Sequence, residues 1–292
     1  MGVTVSAVVP TLGRSPWLAP CLEALRRDGG QSVEVIVVDQ GETAVELPAG
    51  LADRVLRPER NLGFAGGTNL GIAAISETSA ELVATVNDDA LVEPGWIAAL
   101  AAALESDPSA AAAQGVTLLM NDVERADGCG IAWNRWWQAV QVGHGLPAPS
   151  DSEPTREIFG VSATAALFRR TALEAVALDG DVFDPRLISY YEDVELAGRL
   201  RAAGWRALLV PGARARHAGS VTGGTMSHER WRLIYGNRWL VASRFLGRRL
   251  WPRVPWMLLR DVVDLARSAG RGDWSRTSGI AAGWARAVRG LS

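Results

Sequence analysis

The first hundred residues alternate between short apolar runs and segments whose apolar residues have helical spacing, and this alternation constrains the fold most strongly. The apolar runs predict strands at residues 3–9, 33–38, 54–56 and 81–86. The intervening segments predict helices at residues 16–27, 66–76 and 95–104. Strands that alternate with helices indicate an α/β fold, with a mostly parallel sheet flanked by helices. In such sheets, ligands bind beyond the carboxyl ends of the strands.

The alternation weakens from about residue 110. Residues 143–154 are rich in Gly, Pro, Ser and Asp, which is typical of a loop. A helix is predicted at 187–204, followed by a strand at 206–210. After Ser227 the chain is rich in Arg and Trp, and it predicts a helical extension to Leu291.

Composition narrows the classes of function and the cellular location. The net charge of −2 over 292 residues argues against nucleic acid as a partner, because such proteins usually carry a basic excess. No signal peptide and no run of about 18 apolar residues that could span a membrane is expected. The two cysteines, Cys21 and Cys129, are expected to be buried thiols in a reducing compartment. These observations predict a cytoplasmic protein.

A pair of carboxylates, Asp88 and Asp89, follows Asn87 at the end of a predicted strand. Hard cations such as Mg²⁺ are commonly held by one or two carboxylates together with substrate phosphates. The alternative is an Asx turn that only ends the strand. By itself, the pair leaves both interpretations open.

A second acidic cluster, with Glu192 and Asp193, stands at a predicted helix start. A carboxylate there could remove a proton from an acceptor hydroxyl as a general base. The structural alternative is that the acidic residues stabilise the amino-terminal end of the helix. His217 could complete a metal site, although a single histidine is more often structural. The glycines of residues 60–69 precede a helix and allow close approach to phosphate, although their spacing matches neither a Rossmann nor a Walker motif.

Taken in order, these segments resemble the family 2 inverting glycosyltransferases with the GT-A fold, and within them a rhamnosyltransferase-like branch. The resemblance covers residues 3 to about 224. It rests on Val8-Val9-Pro10-Thr11-Leu12-Gly13-Arg14, Val37-Val38-Asp39-Gln40-Gly41, Asn61-Leu62-Gly63-Phe64-Ala65-Gly66-Gly67-Thr68-Asn69, Val86-Asn87-Asp88-Asp89-Ala90, the small-residue segment 160–170 and Tyr190-Tyr191-Glu192-Asp193-Val194-Glu195-Leu196. Gln40 departs from the pattern, since Asn or Asp usually follows that aspartate.

The resemblance implies a role for each matching residue. Asp193 is implied as the catalytic base with Glu192 in support, and Asp89 and His217 as ligands of Mn²⁺ or Mg²⁺. The residues implied to bind the nucleotide-sugar are Pro10, Thr11, Gly13, Arg14, Asp39, Asn61, Gly63, Phe64, Gly67, Asn69, Asn87 and Asp88. Those implied to bind the acceptor are Ser162, Thr164 and Tyr191.

The resemblance also implies a division of the chain and a reaction. Residues 1–226 would form the catalytic domain, with a donor half at 1–106 and an acceptor half at 107–226, and residues 227–292 a helical extension. The expected reaction moves a sugar, with rhamnose favoured, from a dTDP-, UDP- or GDP-linked donor to a glycan, a lipid-linked or a small-molecule acceptor. The alternatives are a sugar-phosphate nucleotidyltransferase and an inactive glycan-binding module. The short segment Thr11-Leu12-Gly13-Arg14-Ser15 argues against the first, and the two intact acidic pairs argue against the second.

The Arg- and Trp-rich extension allows two interpretations. Trp and Arg at helical spacing can lie on an anionic membrane surface, which would put the protein at the inner face of the plasma membrane. The same helices could instead pack on the catalytic domain or on a second subunit of a homo-oligomer.

Overall fold

The computed structural model describes residues 4–29, 33–75, 80–219 and 227–291. The predicted first strand and second helix therefore each extend beyond the described residues, at Val3 and Ser76. The boundary predicted between residues 226 and 227 adjoins residues 220–226, which are also not described. The division of the chain into those units stays a prediction.

Ten strands form one large sheet, and two short strands pair separately. The large sheet contains β1 (Val5–Thr11), β2 (Val33–Asp39), β3 (Arg54–Leu56), β4 (Leu82–Val86), β5 (Ala90–Val92), β6 (Ala110–Leu119), β7 (Asp122–Gly128), β10 (Arg156–Ile158), β11 (Ala165–Arg169) and β12 (Arg206–His217). The separate pair is β8 (Ile131–Trp133) and β9 (Ala139–Gln141).

The large sheet is mostly parallel, as the sequence predicts. Its main path runs β10-β12-β6-β11-β4-β1-β2-β3, with β5 paired to β12 and β7 to β6. Along that path only β10 and β11 run against the other strands. The four strands of the first half are all parallel, so their carboxyl ends meet at one edge of the sheet.

Eight α-helices lie in the described part of the chain. They are α1 (Leu18–Gly29), α2 (Gly63–Ala74), α3 (Trp96–Ser106), α4 (Arg170–Ala175), α5 (Glu192–Ala202), α6 (His228–Leu246), α7 (Val254–Gly270) and α8 (Trp274–Leu291). Short 3-10 helices occupy Pro185–Leu187 and Gly247–Arg253. No helix in the described ranges is both long and apolar enough to cross a membrane.

Side chains along the strands point alternately to the two faces of the sheet, and both faces carry an apolar layer. Ala7 and Val9 of β1 belong to an apolar layer with α1 and α3, whereas Val8 belongs to a second layer with α2 and α5. Successive strand residues point to opposite faces, so a strand covered on both sides must be apolar throughout. This explains why the first strands are continuous apolar runs.

The fold differs from the sequence prediction at two places that matter for function. The helix predicted from residue 187 begins at Glu192, because Ile188, Tyr190 and Tyr191 take positive φ values of 65°, 69° and 74°. The strand predicted at 206–210 continues to His217 after an irregularity between Val210 and Arg214. Contacts between distant segments determine where this helix begins and where this strand ends. The spacing of apolar residues along the sequence does not indicate such contacts.

Candidate active site

The first site residues lie at the carboxyl ends of neighbouring parallel strands. Thr11, the last residue of β1, is the register partner of Asp39, the last residue of β2. The Thr11 hydroxyl donates a hydrogen bond of 2.5 Å to Asp88 Oδ2, just beyond β4. The sheet therefore brings together three of the residues that the resemblance assigns to the nucleotide-sugar.

The turn after β1 is short and partly exposed. Pro10 is buried in the strand, and the Gly13 amide donates to Thr11 Oγ1 at 2.9 Å. Gly13 has a φ of +70°, which a residue with a side chain adopts only with strain. Arg14 is exposed and pairs with Glu42 at 3.1 Å. The turn is thus fixed by Thr11, and Arg14 lies at its exposed side.

Asp39 is almost fully buried and is already bonded within the protein. Its carboxylate accepts hydrogen bonds from the amides of Gly41 at 2.9 Å and Val45 at 3.0 Å, and it pairs with Arg57. Arg57 also donates to the carbonyls of Gly41 and Glu42. The sequence analysis missed Arg57, which lies outside every recognised motif. Asp39 therefore shapes the 39–45 turn, and its predicted contact with the nucleotide stays a prediction.

Gln40 connects the end of β2 to the start of α2. Its side chain accepts from the Leu62 amide at 2.8 Å and donates to the Gly63 carbonyl at 3.2 Å. A Cβ atom on Gly67 would collide with the Gln40 amide, so this glycine permits the close packing. The unusual glutamine thus fixes the segment that resembles the family's glycine-rich motif.

That segment turns sharply against residues 188–189. Asn61 Oδ1 accepts from the Gly63 amide at 2.8 Å, and Gly63 has a φ of +73°. A side chain on Gly63 would meet the Ile188 carbonyl. The Phe64 amide donates to the Ser189 hydroxyl oxygen at 3.1 Å, and the Phe64 ring lies 6.0 Å from that of Phe183.

Asn69 points into the protein. Its side-chain nitrogen donates to the Phe183 carbonyl at 2.7 Å, and its oxygen accepts from the Phe183 amide at 2.9 Å. Both polar atoms are therefore occupied by one buried backbone unit. This arrangement supports a positioning role for Asn69, which holds α2 against the segment before α5.

In the acidic motif after β4, Asp88 is hydrogen-bonded within the protein, whereas the side-chain oxygen of Asn87 has no partner. Burial, together with the charge of Asp89, raises the pKa of Asp88 to about 6 even though Thr11 donates to it. The Asn87 amide donates to the Thr164 carbonyl at 2.8 Å, whereas Asn87 Oδ1 is buried without a hydrogen-bond partner. Buried polar atoms are rarely left unpaired, so this oxygen is available to a bound ligand or to solvent.

Asp89 and His217 are in direct contact. His217 Nε2 lies 3.1 Å from Asp89 Oδ1, and His217 Nδ1 lies 2.8 Å from Asp127 Oδ2. Burial alone would lower the pKa of His217, but the hydrogen bonds to Asp127 and Asp89 outweigh it and raise that pKa to about 9. The sequence analysis missed Asp127, because only the pairing of β7 and β12 with β6 brings it near His217.

These groups fit a cation that takes its other ligands from a substrate. Across the described ranges, no three His, Cys, Asp or Glu side chains form a complete metal-binding group. Asp89 and His217 would supply an oxygen and a nitrogen, and Asp127 would orient the ring through its other nitrogen, a common outer-shell arrangement. Mg²⁺ and similar cations often use one or two carboxylates, with phosphates and water completing the set.

The second acidic pair lies at the first turn of α5. Burial raises the pKa of half-buried Asp193, although hydrogen bonds from the amides of Val194 and Ala163 and from the Ser162 hydroxyl act in the opposite direction. Burial and the charge of Asp193 also raise the pKa of Glu192. Glu192 Oε2 is buried without a hydrogen-bond partner. A carboxylate with a raised pKa is a better proton acceptor than an ordinary aspartate.

Residues 162–164 join the two acidic groups. The Ser162 hydroxyl lies 3.1 Å from that of Thr164, and the Thr164 carbonyl accepts from the Asn87 amide. Two glutamines that the sequence analysis missed also contact Ser162: Gln114 Oε1 accepts from its amide at 2.7 Å, and Gln141 Nε2 donates to its hydroxyl at 2.9 Å. Gln114 Nε2 and Gln141 Oε1 are themselves buried without partners.

Tyr191 faces away from this polar group. Its hydroxyl oxygen accepts from the Ala139 amide at 3.2 Å, and its ring lies 5.8 Å from that of Trp133. Burial raises the pKa of this hydroxyl, so it stays protonated. These contacts indicate that Tyr191 orients the start of α5, and the predicted contact with an acceptor stays a prediction.

Comparison with known proteins identifies a family that matches more than half of the chain. The profile described as "Glycosyl transferase family 2" matches residues 6–177. N-acetylglucosaminyl-diphospho-decaprenol L-rhamnosyltransferase of Mycobacterium tuberculosis is 27% identical over 238 residues, which cover 72% of this chain and 74% of the relative. An uncharacterised protein of Sinorhizobium fredii, y4gI, is 26% identical over 75% of this chain but only 25% of its own length.

Two solved structures share the fold. GalNAc-T7 with UDP, GalNAc and Mn²⁺ superposes with a TM-score of 0.60 at 16% identity, over 83% of this chain. This chain spans half the length of that protein. The mannosyltransferase PcManGT from Pyrobaculum calidifontis, in complex with GDP-Man and Mn²⁺, has a TM-score of 0.54 at 17% identity, over 98% of this chain and 86% of its own. At these identities the likeness establishes the GT-A fold.

Proposed function

Because the chain belongs to glycosyl transferase family 2, we propose that it moves a sugar from a nucleotide-diphosphate donor to an acceptor hydroxyl with inversion at the anomeric carbon. One observation carries the proposal. The segment 162–164 contacts Asp193 on one side and the Asn87-Asp88-Asp89 motif on the other. These contacts support a general base close to a diphosphate-binding group, which a direct displacement would require.

The donor would lie against the ends of β1, β2 and β4. Thr11 and Asp88 would contact the sugar nucleotide, and the unpaired Asn87 Oδ1 could accept from a sugar hydroxyl. The buried polar groups of Asp39 and Asn69 serve in this proposal to hold the surrounding turns. Asn61 and the first turns of α2, with Gly63, Phe64 and Gly67, would border the donor on one side.

Asp89 and His217 would hold Mn²⁺ or Mg²⁺, and Mn²⁺ is the cation in both of the solved structures compared above. The cation would supply Lewis-acid stabilisation of the charge that develops on the leaving diphosphate. Asp127 would keep the His217 ring oriented towards Asp89.

Asp193 would act as the base. The acceptor oxygen attacks the anomeric carbon from the side opposite the diphosphate, and its proton moves to Asp193. The bond to the diphosphate breaks with both electrons on the departing oxygen, so the configuration inverts in one step. The unpaired atoms of Gln114, Gln141 and Glu192 would orient the acceptor beside Ser162 and Thr164.

The names of the relatives support a choice of donor and acceptor class. Rhamnose from dTDP-rhamnose is the favoured donor because the relative from Mycobacterium tuberculosis is an L-rhamnosyltransferase. UDP- and GDP-sugars are the alternatives, since the two structures with the same fold hold UDP and GDP-Man. A polyprenyl-diphosphate-linked glycan is the acceptor class that the relative's name supports.

The test is a thermal-shift titration with dTDP, UDP and GDP, with and without Mn²⁺. One nucleotide at about 100 times its Kd should raise Tm by roughly 5 °C in the presence of Mn²⁺. Asp89→Asn should abolish the Mn²⁺-dependent part of the shift, whereas Asp122→Asn, an exposed aspartate on β7, should retain it. The proposal fails if none of the three nucleotides stabilises the wild-type protein.

A further inference from the structure

Helix α7 is oriented with its polar side inward. Asp261, Asp264 and Ser268 are buried, whereas Leu258, Leu259 and Val262 are among the exposed large apolar residues. Residues 258, 259 and 262 lie on one side of the helix, because 3.6 residues make one turn. An ordinary surface helix shows the opposite arrangement, with its apolar stripe facing the core.

Specific polar contacts fix this orientation. Asp261 pairs with the buried guanidinium of Arg238, and it accepts from the indole nitrogens of Trp239 at 2.9 Å and Trp284 at 3.0 Å. Asp264 accepts from the Tyr235 hydroxyl at 2.9 Å. Rotating α7 to bury its leucines would break these bonds and leave charged groups without partners, so the apolar side stays outward.

The exposed apolar surface extends beyond the helix itself. Trp251 and Trp256, near the start of α7, are 74% and 60% exposed. We define the α7 outer face as Trp251, Trp256, Leu258, Leu259 and Val262. A contiguous exposed apolar patch of this kind marks an interaction site on most soluble domains.

The exposed charged residues that flank the α7 outer face along the chain, between residues 247 and 271, are arginines. Arg248 and Arg249 are exposed before it, and Arg267 and Arg271 are exposed after it. Between residues 247 and 271 the only acidic residues are Asp261 and Asp264, and both are buried. The partner of this face must therefore combine an apolar interior with a negatively charged border.

We infer that the α7 outer face binds the surface of an anionic phospholipid bilayer. The helix is about 25 Å long, so it would lie in the plane of the interface. The leucines and Val262 would enter the acyl boundary, the two tryptophans would sit at headgroup level, and the arginines would contact lipid phosphates. This binding is independent of the sugar transfer proposed above.

A second copy of the chain fits this face less well. A two-fold interface places the same patch on both subunits. Because arginines border both ends of α7, either parallel or antiparallel packing of two such helices would bring arginines of the two copies together. A bilayer containing anionic lipid offers charges of the opposite sign instead.

The test is co-sedimentation with vesicles of phosphatidylcholine, alone or mixed with phosphatidylglycerol. The wild-type protein should pellet with the mixed vesicles at low salt and be released as salt is raised. Leu259→Glu should weaken binding by roughly tenfold or more, because it places a charge at the apolar boundary. Leu146→Glu, at an exposed leucine in a distant loop, is the matched control and should bind as the wild type does.

Nucleotide-diphosphate binding by Leu259→Glu should be unchanged, so a loss of vesicle binding reports on the α7 outer face and not on the donor cleft. Failure of the wild-type protein to pellet with mixed vesicles at low salt would overturn the inference. Equal pelleting of Leu259→Glu and wild type would also overturn it. A solution dimer that Leu259→Glu dissociates would assign the face to a second copy and exclude the bilayer as its partner.

Discussion

At the residue scale, the candidate site depends on side chains whose polar atoms are buried but only partly bonded. Asn87, Gln114, Gln141 and Glu192 each have one side-chain atom that is buried without a hydrogen-bond partner. An unpaired buried polar atom typically costs about 1–3 kcal/mol of folding free energy. A polar substrate explains several such atoms near residues 162–164 and the two acidic motifs better than packing does. Asp193 is the member of this region with a direct chemical role in the proposal.

Replacing Asp193 by Asn should separate chemistry from binding. The amide cannot accept the acceptor's proton, so kcat should fall by roughly 10²–10⁴. The Kd for the nucleoside diphosphate should change little, because the proposed donor contacts lie on β1 and β4. Steady-state kinetics together with the thermal-shift titration measure both quantities. Asp179→Asn, at an exposed position, is the control and should keep wild-type turnover.

The pH profile gives a second readout of the same residue. Because burial raises the pKa of Asp193, the ionised base is lost as pH falls through a value above the ordinary aspartate range of about 3.9. The acidic limb of kcat/KM should therefore lie above that range. Wild-type turnover in Asp193→Asn, or an acidic limb at an ordinary aspartate pKa, would refute the assignment.

At the element scale, α6 holds the strained segment that precedes α5. The buried side-chain nitrogen of Asn237 lies 2.7, 3.0 and 2.9 Å from the carbonyls of Leu187, Ser189 and Tyr190. The same segment contacts the start of α2, through the Ile188 carbonyl and the Ala65 amide at 3.0 Å. Helix α6 therefore supports the segment between the start of α2 and Asp193, the proposed base.

Asn237→Ala should impair catalysis as well as stability. The substitution removes the side-chain nitrogen that donates to the three carbonyls. The free energy of unfolding should therefore fall by about 1–3 kcal/mol. Movement of residues 188–193 by about 1 Å should lower kcat roughly a hundredfold. Urea denaturation and kinetics on the folded protein measure the two effects, with exposed Asn121→Ala as the control. A loss of stability with an unchanged kcat would show that Asn237 has a structural role only.

At the scale of the whole molecule, the C-terminal helices have a polar centre of their own. The carboxylate of Asp261 is shared by Arg238, Trp239 and Trp284, and it joins α7 to both α6 and α8. Arg238 also donates to the Trp137 carbonyl at 3.0 Å, which connects this centre to the turn between β8 and β9. This buried ion pair thus joins the helices of the extension to one another, and Arg238 connects it to the rest of the fold.

Asp261→Asn should destabilise the protein strongly. Removal of one partner leaves the buried guanidinium of Arg238 without its countercharge, and such changes typically cost about 3–5 kcal/mol. Urea denaturation followed by far-ultraviolet circular dichroism measures the loss, and Asp151→Asn at an exposed position should stay within about 0.5 kcal/mol of wild type. A comparably small change in Asp261→Asn would show that this ion pair does not hold the extension.

Local sequence patterns determined the parallel sheet and the places of its acidic motifs. A strand buried on both faces must be apolar, and the polar residue at its end must lie at the edge of the sheet, so the positions of Asp39 and Asp88 follow from periodicity alone. The order of motifs then gave the family. The strained turn at residues 188–191 and the extent of β12 are set by contacts between distant segments, so their boundaries differ from the sequence prediction.

Tertiary structure alone decided which polar groups meet. Asp127 reaches His217, Arg57 reaches Asp39, and Gln114 and Gln141 reach Ser162, each across a separation that no local pattern encodes. It also decided which side of α7 faces outward. Burial of Asp261 and Asp264 costs free energy unless they are paired, and their partners Arg238 and Tyr235 lie on the inner side of the helix.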